Sequence, residues 1–83
     1  FAELKARIAK VRDFVNSVPA AGFAGSESKP YTLKMRHGDM HFDSGPDYLR
    51  FFVLPNFYFH VTTTYAILRH NGVELGKSDF IGA

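Results

Sequence analysis

A chain of 83 residues, 46% hydrophobic and 16% aromatic with nine Phe, holds one small domain at most and carries more apolar surface than two helices readily hide. Ten Lys plus Arg against eight Asp plus Glu leave a formal charge of +2; the excess lies at Lys5, Arg7, Lys10 and Arg12, opposed by Glu3 and Asp13, too thin a footprint for nucleic acid. The absence of cysteine removes disulfide frameworks, thiolate metal sites and cysteine nucleophiles together, and fits a reducing cytoplasm.

Phe1, Leu4, Ile8, Val11, Val15 and Val18 recur at alternating steps of three and four, which predicts an amphipathic helix over 1–18 with the charges opposite and Pro19 as its stop. The chain opens inside this pattern with neither an initiator Met nor a leader, and is expected to be a fragment. Turn formers make 19–30 a loop, with a short helical turn conceivable around Phe23. Residues 31–43 read as a β-hairpin: apolar and polar residues alternate from Tyr31 to Arg36 and again at Met40-His41-Phe42, with the bend near Gly38. Asp43 or Ser44 then supplies an N-cap, Pro46 suits a first turn, and Asp47 complements the helix dipole.

A long core helix is predicted over 46–71, ending at a left-handed Asn71-Gly72 stop. Pro55 within it removes one backbone hydrogen bond and crowds the carbonyl four residues back, so a kink or bulge is expected around residues 51–56. Residues 51–68 carry no charge, yet Asn56, His60, Thr62, Thr63 and Thr64 would be costly in hydrocarbon; a helix buried in a bundle is expected, not a membrane span. In the extension 72–83, Leu75, Phe80 and Ile81 are expected to pack back on the bundle, with Lys77 and Asp79 capping it or lining a pocket.

The best polar cluster is Asn56, His60, Thr63 and Thr64, which fall with Ile67 in one sector of the long helix. Two readings stand for it. Imidazole can ligate a metal or act as a general base; alternatively His60 is a buried histidine hydrogen-bonded to Asn56, Thr64 or a missing helix. His37, Asp39 and His41 would share one face of a strand and gather as metal ligands, but a bend at Gly38-Asp39 would send them apart into solvent. The Thr62-Thr63-Thr64 hydroxyls have no base beside them and suit back-bonding to helix carbonyls. Arg69 and His70 complement the dipole at the helix end.

The run Leu54-Pro55-Asn56-Phe57-Tyr58-Phe59-His60-Val61-Thr62-Thr63, Tyr65, Ile67-Leu68-Arg69-His70-Asn71-Gly72-Val73, Gly76-Lys77 and Asp79-Phe80-Ile81-Gly82 resembles the C-terminal half of a domain-of-unknown-function family in the DinB/YfiT-like metalloenzyme superfamily. Residues 1–8 and Tyr31-Thr32-Leu33 extend the resemblance over almost the whole chain. It implies a mainly α fold, a four-helix bundle to which this chain supplies the third helix, the β-hairpin and the fourth helix, the first two helices being absent. Metal-binding members of the superfamily use three histidines, two of them four apart on the last helix. The resemblance sets His60 at the first of those positions, and four residues on stands Thr64.

Leu4, Ile8, Val11, Val15, Phe52, Leu54, Phe59, Val61 and Leu68 are the expected core. A half-bundle would expose a continuous apolar patch, so a partner is expected: a second copy in a two-fold dimer, or the missing N-terminal half. Two functions follow. One is a non-catalytic module for assembly or for a small hydrophobic ligand, needing no cofactor; the other, implied by the resemblance, is a hydrolase or thiol transferase using Zn, Ni or Mn with His60 as a ligand.

Overall fold

The computed structural model describes residues 1–83. Helix α1 (Ala2–Ser17) is followed by 3-10 turns at Ala20–Phe23 and Ser26–Ser28, strands β1 (Tyr31–Leu33) and β2 (Met40–Phe42), then α2 (Gly45–Tyr48). Helix α2 passes through a π-helical segment, Leu49–Val53, directly into α3 (Leu54–His70), and a short α4 (Lys77–Ile81) closes the chain. The fold is mainly helical, with one small sheet.

The strands are antiparallel, with Tyr31 opposite Phe42, Thr32 opposite His41 and Leu33 opposite Met40. The turn between them falls at Arg36 and His37, where the Gly38 N–H donates to the Met35 carbonyl, so the bend precedes the Gly38-Asp39 position expected from composition. A two-stranded hairpin is marginal alone and needs a surface to rest on. Here Tyr31 and Phe42 from the strands meet Tyr48 and Phe52 from the helix, with centroid separations of 4.8 Å for Tyr31–Tyr48, 5.2 Å for Phe42–Tyr48 and 6.2 Å for Phe42–Phe52. Phe42, 6% exposed, is the one buried residue of the chain, so this aromatic group is its core.

Local chemistry starts the helix. The Ser44 hydroxyl accepts from the Asp47 N–H at 3.3 Å, Pro46 sits where an N–H would be orphaned, and Asp47 lies in the first turn. Gly45 is required by a close approach: a Cβ there would overlap the carbonyl oxygen of Ser26 in the loop crossing above. Pro55 explains the π segment. It cannot donate to the Phe51 carbonyl and its ring would clash there, and the widened turn accommodates this as the Leu54 N–H reaches Leu49, five residues back. At the far end Gly72, with φ of 92°, lets its N–H bond the Arg69 carbonyl and the Val73 N–H bond the Leu68 carbonyl, a Schellman closure.

Most of the expected core is uncovered within this single chain. Leu4, Ile8, Val11, Val15, Leu54, Phe59 and Leu68 are exposed, while Phe52 and Val61 are half-buried. The reason is geometric: α1 and α3 each carry an apolar face, but they do not pack along one another, and α4 meets α3 locally, through Phe80 against Tyr65. The radius of gyration, 16.6 Å, accordingly exceeds the roughly 12 Å of a compact domain of this length.

Candidate functional site

Helical spacing on α3 brings Asn56, His60, Thr63 and Thr64 into one sector, but no second element closes over them. All four are exposed. The Thr64 hydroxyl donates to the His60 carbonyl at 2.8 Å, the back-bond that threonine makes in helices, so it is directed to backbone and not to the imidazole. The His60 ring lies edge-on to Phe59 at 5.3 Å and makes no hydrogen bond to a side chain; Asn56 and Thr63 make no side-chain hydrogen bond either. Within this chain His60 is thus exposed, and of its expected partners neither Asn56 nor Thr64 bonds the imidazole. Burial needs a neighbouring helix, and within this chain α3 has none on that side.

The hairpin histidines are engaged locally. His41 Nδ1 is 2.9 Å from the Thr32 hydroxyl across the ladder, and its Nε2 is 3.5 Å from Asp43. Asp39 takes a 2.7 Å ion pair from Lys34, spanning the exposed turn. His37, in the turn itself, joins neither. No three His, Asp or Glu side chains converge anywhere in the chain. A metal of the kind implied by the superfamily resemblance thus finds one imidazole at His60 without a second or third donor from this chain, and the residues present do not fit it.

Of the surface grooves, one has no counterpart in the sequence reading and another lies at the C-terminal extension, where Lys77 is expected to line a pocket. One, of about 470 Å³, lies where the 3-10 loop crosses the start of the long helix and is lined by Phe23, Glu27, Pro46, Tyr48, Leu49 and Val53 among others. Its one advance signal was the phenylalanine in an otherwise small-residue loop. The other, of about 250 Å³, is lined by Thr62, Tyr65, Lys77 and Phe80. There the C-terminal extension returns to α3, with Phe80 edge-on to Tyr65 at 5.6 Å and Arg69 donating to the Tyr65 hydroxyl at 3.0 Å. Asp79 has a capping role, since its carboxylate accepts from the Gly76 N–H at 2.7 Å. Lys77 lines the groove. Both grooves are open and mostly apolar, suited to holding a greasy group and without paired acid and base for chemistry.

No helix is long and apolar enough to cross a membrane. A family model described as "Domain of unknown function (DUF1993)" matches residues 1–81, and the chain belongs to that family. No curated protein and no solved structure matches it.

Proposed function

We propose that this member of the DUF1993 family is a cytoplasmic binding and assembly module without a catalytic centre of its own, contributing its helices and hairpin to a four-helix bundle of the DinB/YfiT type. The observation that carries this reading is the pair of uncovered apolar faces. Ile8 on α1 is 57% and Leu68 on α3 43% exposed, an arrangement that gains free energy from every apolar area a partner or ligand removes from water. The larger groove supports the ligand-binding side, because about 470 Å³ is the size that takes a small apolar molecule.

Elemental analysis of protein purified without an affinity tag tests the proposal. The expected result is no stoichiometric Zn, Ni or Mn, and unchanged stability after exhaustive chelation. Stoichiometric metal that is lost in His60→Ala would overturn it in favour of a metal-dependent hydrolase or thiol transferase using His60.

A further inference from the structure

Resting on the ligand-binding side of the reading above, we infer that the groove where α4 returns to α3 takes a small monocarboxylate with an apolar ring as its body.

Both walls of this groove come from the chain itself. Phe80 on α4 stands edge-on to Tyr65 on α3 at 5.6 Å, both residues half-buried, and this contact sets the spacing of the walls whatever covers the apolar faces of α1 and α3. The space beside the two rings is about 250 Å³, whereas a cavity of about 150 Å³ already admits benzene. One ring fits, with room for a short polar head.

The head is chosen by what borders the rings. Lys77 and Thr62 complete the lining, and neither Lys77 nor Arg69 is ion-paired, since both ion pairs of the chain belong to the hairpin region, Lys34 with Asp39 and His41 with Asp43. Arg69 donates to the Tyr65 hydroxyl at 3.0 Å, which leaves the phenol its own proton to give. The Thr62 hydroxyl is also free to donate, for unlike Thr64 it makes no hydrogen bond to a helix carbonyl. Asp79, close to Lys77 in sequence, turns its carboxylate to the Gly76 N–H at 2.7 Å and not to the ammonium. The lining thus offers one ammonium and two hydroxyl donors, with no acid among them. A carboxylate accepts from all three, and its single charge matches the single lining cation; an amine head would meet Lys77 in repulsion, and a neutral head would leave the ammonium unpaired.

Phenylacetate titrated into the untagged, isotope-labelled chain tests this, read residue by residue from amide resonances. Saturable shifts are expected at Thr62, Tyr65 and residues 77–81, with a dissociation constant of about 1 mM or tighter. Phenethyl alcohol, which keeps the ring and drops the charge, should bind at least fivefold more weakly, and phenethylamine should not saturate. Lys77→Gln, at an exposed residue in no ion pair, should keep the fold and bring phenylacetate down to the level of the alcohol. Equal affinity for phenylacetate and the alcohol, or for the parent and Lys77→Gln, would overturn the carboxylate site. Shifts confined to Phe23, Leu49 and Val53 would overturn it as well, yet leave the ligand-binding reading standing in the larger groove. No saturable shift at any residue with any of these compounds would overturn both.

Discussion

Tyr48 and Phe52 stack with ring planes 12° apart and centroids 5.8 Å apart, placing two aromatic faces of the widened helix side by side under the hairpin. The π segment thereby links Pro55 to the docking of the sheet, since the turn that spares the proline its clash also carries Phe52. Phe42 wedges against both rings.

Phe42→Ala should therefore cost about 3 kcal/mol, the low end for emptying a buried phenylalanine site, and should release the hairpin from the helix. Phe42→Leu, which keeps most of the volume, should cost less. Urea denaturation followed by the tyrosine near-ultraviolet signal reads both; an unchanged midpoint for the alanine variant would show that the hairpin is held some other way.

Gly45→Ala sets two effects against each other. Alanine is favoured over glycine within a helix by about 1 kcal/mol, but a Cβ at this position overlaps the Ser26 carbonyl oxygen, and backbone cannot yield as a side-chain tip does. The clash should win, lowering the melting temperature. Gly22→Ala is the control, for its Cβ would make only ordinary contacts with Pro19 and Val18. A Gly45→Ala protein as stable as the parent would mean that the 26–28 loop does not rest on the helix start.

Features written in local chemistry could be read from residues alone. Ser44, Pro46 and Asp47 announce a helix start, Asn71-Gly72 an end, and Pro55 a disturbance between them, because each acts on backbone atoms only a few residues away. Burial is another matter. The 3-4 spacing of Leu4, Ile8, Val11 and Val15 identifies an apolar face but is silent on whether another element covers it. Phe42 was missed for the opposite reason: a three-residue strand has too short a pattern to mark its hub, and its partners Tyr48 and Phe52 lie on a helix whose period shifts at the π segment. Spacing sets His60 in one helical sector, but its surroundings depend on that missing cover.

The exposed His60 makes a distinct prediction. Its Cβ lies roughly a quarter-turn round α3 from the Leu54, Val61 and Leu68 face, and its ring holds no hydrogen-bonded partner to strand. His60→Gln and His60→Leu should each change stability by less than about 0.5 kcal/mol, as surface substitutions do. Thermal melts of the three proteins check this. A leucine variant less stable than the glutamine one by about 1 to 3 kcal/mol would reveal a buried, hydrogen-bonded imidazole.

Asp79 offers the sharpest test of the C-terminal extension. Its carboxylate accepts the Gly76 N–H at 2.7 Å, while the Asp79 N–H donates to the Gly76 carbonyl at 3.1 Å, so one residue closes the first turn of a five-residue helix from both sides. A helix that short does not persist on propensity; the cap and the Phe80 contact with Tyr65 hold it. Asp79→Ala removes the acceptor and should cost about 1 kcal/mol, felt locally as fraying of residues 77–81 and separation of Phe80 from Tyr65. Asp79→Asn keeps a side-chain oxygen and should lose less. Amide hydrogen exchange resolves the effect, with protection at Phe80 to Gly82 expected to fall in the alanine variant while that of residues 57–67 stays level. Equal loss along both stretches would show that the extension melts only with the whole chain and that the Asp79 cap contributes no separate latch.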